Sequence, residues 1–235
     1  MIEAYITNLG KYNEGELEGE FLKFPTTTED VQALLARIGV DGSRYEEYII
    51  TEYETDVEGL SSCLNEYESI DELNYLAALL EELNENEELE KFKTALVLGE
   101  YCGSVREPIN LTQNLECFEF YPNVANEEDL GRYYVDELDA LQIPDNLEPY
   151  FDYEAYGRDI ALESISDFVN GGFIVGDTRG FTEYYTGKED LPDEHLVFAY
   201  PEKEKRSILK TLKQHREAPS PVQARGGREV SQDER

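Results

Sequence analysis

Two histidines, three cysteines and fifty-three carboxylates are the side chains best suited to chemistry in this chain. His195 falls in a Pro-Asp-Glu-His stretch and His215 in a basic one. Neither has a second metal ligand at helical spacing, so both read as surface residues. A pair of carboxylates can hydrolyse a glycosidic bond as acid and base, but among fifty-three acids no pair is singled out. Asn84-Glu85-Asn86-Glu87 is the nearest approach to a calcium loop. It lacks the Asp-x-Asp-x-Asp-Gly frame and offers Glu where the tight early ligand positions want shorter side chains. No glycine-rich phosphate loop or nucleophile motif occurs. The residue types predict no enzyme, no cofactor and no metal site.

What the carboxylates can do is act together. The formal net charge is −33, and residues 1–200 alone hold 47 acidic and 11 basic side chains, because the last stretch is net positive. Such a charge costs stability through self-repulsion, so its presence needs a reason. Glu14, Glu16, Glu18 and Glu20 alternate with Gly15, Leu17 and Gly19. On a strand all four would lie on one face, about 6.5–7 Å apart, with only Lys11 and Lys23 nearby to offset them. Glu46, Glu47, Glu52, Glu54, Asp56 and Glu58 fall in a stretch without a basic residue. Glu81, Glu82, Glu85, Glu87, Glu88 and Glu90 are six acids in ten residues. Glu127, Glu128, Asp129, Asp136 and Glu137 make a further group. Any one run is an ordinary solvated face. Their recurrence with so few cations predicts a surface that is itself the working part, a polyanion shaped for a basic groove. Duplex DNA carries one charge per ~1.7 Å of axis, so about 36 net charges match roughly 60 Å, or about eighteen base pairs. An acidic halophile's surface is a competing explanation, and so is a general acidic module for some other basic DNA-binding protein.

The elements that would position these groups read as α+β. With 40% hydrophobic and 11% aromatic residues the chain is too rich in apolar side chains for a disordered acidic segment. No apolar run approaches eighteen residues, and Met1-Ile2-Glu3-Ala4 lacks the basic and apolar pattern of a signal peptide. Cys63, Cys102 and Cys117 are odd in number and widely spaced, which predicts reduced core thiols in a cytoplasmic protein.

Four divisions follow. Residues 1–60 predict a small antiparallel sheet with one helix. Ala4–Leu9 and Glu16–Phe24 alternate as strands joined across Lys11–Gly15, a helix capped at Thr27 or Thr28 ends at Gly39, and Arg44–Glu54 is a third strand. Residues 61–103 predict helices, one opened by a Ser69-Ile70-Asp71-Glu72 capping box and one over about Glu87–Leu98. Residues 104–175 predict a mixed domain: a helix over Asn126–Leu141 with Leu130, Tyr134, Leu138 and Leu141 inward, a helix over Asp152–Ile165, and a hairpin turning at Asn170-Gly171-Gly172. Residues 176–235 form an extension. Its first part resists assignment, Glu202–Arg216 is a basic amphipathic helix candidate, and Ala218–Arg235 is expected to be disordered. The helix openings at Thr28, Ser69 and Glu127 resemble one another, as a distant internal repeat or ordinary capping would make them. Self-repulsion within a Debye length of about 8–10 Å favours an elongated chain of small domains.

The order of motifs resembles the ArdA-type antirestriction proteins. Ala4-Tyr5-Ile6-Thr7-Asn8-Leu9-Gly10-Lys11-Tyr12-Asn13-Glu14-Gly15 looks like that family's first strand and turn, and Leu17 and Gly19 continue it. Phe21 stands where members often carry Trp. Leu64-Asn65-Glu66-Tyr67-Glu68 leading into Leu73-Asn74-Tyr75-Leu76-Ala77 looks like the central helical segment. Asp152-Tyr153-Glu154-Ala155-Tyr156-Gly157-Arg158-Asp159 looks like the helix of the last domain, with Gly171-Gly172 its closing hairpin. The similarity covers about residues 3–175. It implies an elongated, bent, three-domain homodimer whose acidic surface imitates B-DNA. Such a protein would occupy the groove of type I restriction–modification enzymes across their specificity and modification subunits, binding neither nucleic acid nor membrane itself. Two such anions cannot associate through acidic faces. Resemblance and composition together point to Cys117, Phe118, Phe120 and Tyr121 as the dimer contact, unless these residues form a buried strand instead.

Overall fold

The first strand shows why the chain folds as it does at its start. In β1 (Ile2–Asn8) Ile2, Ala4 and Ile6 all face one way and are wholly buried, while Glu3 and Tyr5 face the other. β1 is the centre of an antiparallel sheet, flanked by β2 (Gly19–Phe24) and β3 (Tyr48–Thr55), with a bulge in the β3 pairing between Tyr5 and Ile6. The strand expected from Glu16 begins only at Gly19. After β1 the chain makes a short helix, α1 (Leu9–Asn13), because Asn8 caps it: Asn8 Oδ1 accepts from the Lys11 backbone N–H, and Asn8 Nδ2 donates to the Ile38 carbonyl. α2 (Thr28–Ile38) is capped by Thr27, buries Val31, Leu34, Leu35 and Ile38, and ends at Gly39 with φ +79°. That is the left-handed conformation a glycine adopts without steric cost.

The central helices are α3 (Ile70–Glu85), α4 (Leu89–Val97) and α5 (Arg106–Thr112). Ile70, Leu73, Leu76, Ala77 and Leu80 form the buried stripe of α3 as its periodicity predicts. The capping box at its start does not form. Ser69 makes no side-chain cap bond, Glu72 accepts from the Tyr185 hydroxyl at 2.8 Å, and one Asp71 oxygen accepts from the backbone N–H groups of Val197 and Phe198 at 2.7 Å each. The two first-turn carboxylates hold residues more than a hundred positions away instead of capping their own helix.

The second sheet is antiparallel in the order β4 (Phe118–Pro122), β6 (Gly172–Gly176), β5 (Ile165–Val169). β5 and β6 are the expected hairpin, turning at Asn170-Gly171. α6 (Glu127–Arg132) and α7 (Tyr153–Leu162) pack on one another. They approach so closely that a Cβ at Gly131 would meet the Tyr153 carbonyl and one at Gly157 the Glu127 carbonyl. The helix expected over Asn126–Leu141 stops being α-helical at Arg132 and passes through a π-turn at Tyr133–Glu137, so Leu138 and Leu141 are exposed rather than inward. α7 is shorter than its expected Asp152–Ile165 because Ile165 already belongs to β5.

This computed structural model describes residues 1–99 and 101–202, of which Met1–Pro201 make one unit. The basic helix and disordered tail expected beyond Glu202 lie outside the described residues. One apolar core draws on all three expected segments, from Ile2 through Leu73 and Phe92 to Phe118 and Ile174. A small second cluster comprises Tyr121, Val124, Leu130 and Phe173. Residues 176–200 are a strap lying along that core, with Tyr185, Leu191 and Val197 buried in it. Asn110 fixes the strap by pairing with both backbone groups of Tyr185, and Asn114 does the same with Thr182. Cys63 and Cys102 form a disulfide, contrary to the expectation of three reduced thiols, and Cys117 is the buried free cysteine. Spacing alone could not have revealed the pair, since thirty-nine residues and two helices separate its members.

Candidate functional site

The acidic groups come to the surface by different routes. Glu81, Glu82 and Glu85 project from the solvent side of α3. Glu87 and Glu88 follow in the tight corner before α4, where Glu87 adopts φ +63°. All five are exposed, and none forms an ion pair among the described residues; Lys93 instead pairs with Glu90 at 2.8 Å. Glu46 and Glu47 are exposed in the loop that enters β3, likewise without a cation among the described residues.

The four-carboxylate strand face expected from Glu14 to Glu20 is not present. Glu14 closes α1 and accepts the Tyr45 hydroxyl at 2.9 Å, while Glu16 and Glu18 lie in the loop, Glu18 4.0 Å from Lys11 Nζ. Only Glu20 is on the strand, and Arg37 grips it with two bonds of 2.7 and 3.0 Å. Those bonds hold the Glu20 carboxyl below its usual range. The outward face of the sheet carries other acids: Glu3 stands opposite Glu54, and Tyr5 opposite Glu52. Like charges facing across a ladder are unfavourable, and this face is not visible in the acid run that contains Glu52 and Glu54 because it depends on the pairing of β3 with β1.

In the third segment Glu128 pairs with Arg132 at 2.9 Å, and Asp129 is partly a structural group. Its carboxylate accepts from Ala125 N–H, while Asn126 accepts from Asp129 N–H. Glu127 is half-buried, and Asp136 and Glu137 are exposed on the π-turn. Asp177, beside Arg179, is held down to about 2 by the hydrogen bonds it receives.

Of the four residues expected at a dimer contact, Cys117, Phe118 and Tyr121 are core. Phe118 is 1% exposed, and Tyr121 packs between Tyr133 and Phe173. Phe120 alone reaches solvent, at 37% exposed, although strand alternation puts it on the same β4 face as the buried Phe118. Three of the four are thus buried, two of them, Phe118 and Tyr121, on a strand as the alternative has it, while Cys117 ends the short turn before it.

A cleft of about 320 Å³ adjoins Glu46 and Glu47. Tyr48, Tyr67, Phe198 and Tyr200 line it, bringing together the entry to β3, the loop before α3 and the end of the strap. Burial pushes the Tyr48 phenol up to about 12, so it stays neutral. Sequence reasoning missed this cleft. The signal available was the interleaving of aromatics and acids at Tyr45-Glu46-Glu47-Tyr48 and Glu66-Tyr67-Glu68, whereas the strap's contribution could not be read locally.

Among the described residues no group of His, Cys, Asp and Glu is arranged to hold a metal ion, and no helix is long and apolar enough to cross a membrane. No curated protein matches the chain. The family model described as antirestriction protein (ArdA) matches residues 4–175, most of the described unit, and the chain belongs to that antirestriction family.

Proposed function

We propose that this protein is a DNA mimic that occupies the DNA-binding groove of type I restriction–modification enzymes, across the specificity and modification subunits, and so denies DNA access. The observation that carries this reading is the set of exposed carboxylates at Glu46, Glu47, Glu81, Glu82, Glu85, Glu87 and Glu88, none neutralised by a cation among the described residues. A DNA-binding groove presents Lys and Arg that position phosphates without reading sequence. Carboxylates on a folded surface can satisfy those groups while offering no base edge and no strand to methylate or cleave. Family membership supplies the antirestriction activity, and the net charge of −33 supplies the physical means. The same reading places the protein in the cytoplasm, beside the enzymes it blocks, and takes its three segments as an elongated arrangement that small-angle scattering can measure.

The test is competition. Purified protein is titrated against type I methyltransferases of different recognition sequence with labelled DNA, and displacement is expected from each. Displacement from one enzyme alone would favour an adaptor dedicated to it. The surface should act as a whole, since an exposed ion pair contributes ~0–1 kcal/mol. Changing Glu81, Glu82, Glu85, Glu87 and Glu88 together to Gln should weaken inhibition far more than any one change. Loss of all inhibition from one exposed Glu→Gln would end the mimicry reading.

The dimer belongs to the same proposal. With Cys117, Phe118 and Tyr121 committed to the core, Phe120 is the member of that group left to meet a second copy. Phe120→Asp should give folded monomers by sedimentation, whereas Phe118→Asp should unfold the chain.

A further inference from the structure

We infer that the aromatic cleft beside Glu46 and Glu47 is a receptor for one arginine side chain of the target enzyme's groove, a point anchor within the otherwise diffuse acidic surface. This inference rests on the groove-binding reading above and goes beyond it by assigning a built site. It also uses residues outside the span that identifies the family, because Phe198 and Tyr200 lie beyond residue 175.

The walls are suited to a planar cation. A guanidinium is attracted to the face of an aromatic ring and stacks on it, and it is more weakly hydrated than an ammonium. The chain already uses this contact: Arg132 lies 4.3 Å over the Tyr153 ring while bonding to Glu128, and Arg44 lies 4.8 Å over Tyr45. The cleft offers the same two components, ring faces and carboxylates, without an arginine of its own among its lining residues.

The rings are also held in place before anything binds. Tyr200 donates its hydroxyl to the Glu46 carbonyl at 2.8 Å, and its own carbonyl accepts from Gln32 at 3.0 Å. Its ring lies against Gly42, where a Cβ would come within 2.8–3.0 Å of ring carbons. Phe198 is fixed from both sides, by Tyr48 at 5.7 Å and Tyr200 at 5.2 Å between centroids. Tyr48 accepts from the Ile70 backbone N–H at 3.1 Å. Tyr67, 69% exposed, is left as the movable wall. Such pre-organisation lowers the ordering cost of binding.

The charges agree with a cationic guest. Glu46, Glu47 and Asp71 border the cleft, and Asp71 spends one oxygen on the strap. Lys188 also borders it and forms no ion pair with a described carboxylate. Lys188 is therefore an internal competitor, and removing its charge should favour the guest.

The experiment uses N-acetyl-arginine-N-methylamide as probe and the full chain with isotope-labelled tyrosine. At constant ionic strength the Tyr67 and Tyr200 ring resonances should shift saturably. The neutral methionine analogue should leave them unmoved, and Lys188→Met should tighten binding several-fold. Tyr67→Ser with Tyr200→Ser should abolish the response. Tyr67→Ser alone, at the exposed wall, should reduce it even if the double variant folds poorly. Shifts scattered over all acidic regions, or equal shifts with the methionine analogue, would overturn the site. In the methyltransferase competition the double variant should lose about tenfold or more, against about fivefold at most for Glu46→Gln. If the wild type itself fails to displace DNA, the groove-binding reading fails, and the probe titration still decides the cleft. If the wild type displaces DNA and the double variant does so equally, the anchor is refuted.

Discussion

At the scale of single residues, the tyrosines behave unlike the carboxylates around them. Burial raises the phenols of Tyr48, Tyr53, Tyr121 and Tyr185, with neighbouring carboxylates adding to the effect. A phenol whose folded pKa is raised contributes stability that is complete below its unfolded value near 10 and is lost as pH rises through the folded value. For Tyr48, raised to about 12, two units correspond to ~2.7 kcal/mol lost across that window. Alkaline titration should therefore be cooperative. Absorbance at 295 nm is expected to show exposed tyrosines ionising near pH 10 and the buried ones appearing together with loss of far-ultraviolet circular dichroism. A smooth, independent titration of all seventeen with the fold intact would contradict their burial. Acid types and counts were legible in the sequence at this scale, but the tasks of individual acids were not. Glu14 and Glu20 look alike as letters, yet one receives a tyrosine hydroxyl and the other an arginine fork.

At the scale of elements, α2, the buried stripe of α3, and the β5–β6 hairpin were legible because local rules decide them: a cap, a 3.6-residue period, an Asn-Gly turn. The failures arise where a distant partner overrode a local preference. Ser69 and Glu72 have the letters of a capping box, but Glu72 is taken by Tyr185. Glu16 and Glu18 alternate like a strand, but Asn8 caps a helix that consumes the chain before them. Nor could the α6–α7 contact be seen, although Gly157 was in view as part of a motif. Gly157→Ala should force these helices apart, because the new methyl would meet the Glu127 carbonyl. Overpacking of this kind typically costs ~1–3 kcal/mol. The expected result is a lower urea midpoint with faster hydrogen exchange in α6 and α7 and unchanged protection in α3, whose stripe belongs to the other core cluster. Unaltered exchange in α6 and α7 would mean the crossing tolerates a side chain.

At the scale of the whole molecule, charge sets the response to salt, and it sets it twice with opposite sign. Raising ionic strength from 0.01 to 1 M shortens the Debye length from ~30 to ~3 Å. Within the chain this weakens repulsion among acids that outnumber bases by thirty-three, so the melting temperature is expected to rise with salt. Between the protein and a basic groove it weakens attraction, so inhibition is expected to fall over the same range. Calorimetry and competition assays in matched buffers check both. A melting temperature indifferent to salt would mean the carboxylates are already compensated. The charge behind both responses is legible in composition alone. Composition could not show that one core would draw on all three segments, since that depends on contacts no local pattern encodes.

The strap has a consequence in time. Tyr200 meets Glu46 and Gln32 across separations of 154 and 168 residues, and Val197 meets Asp71 across 126. A ribosome adding about 5–20 residues per second needs roughly 8–30 s to travel the 154 residues from Glu46 to Tyr200. For most of that interval, once Glu90 is made, the nascent chain carries its first sheet and central acids but lacks the wall that closes the aromatic cleft. A message cut short before the strap would yield an acidic product with its charge largely in place and that cleft unfinished.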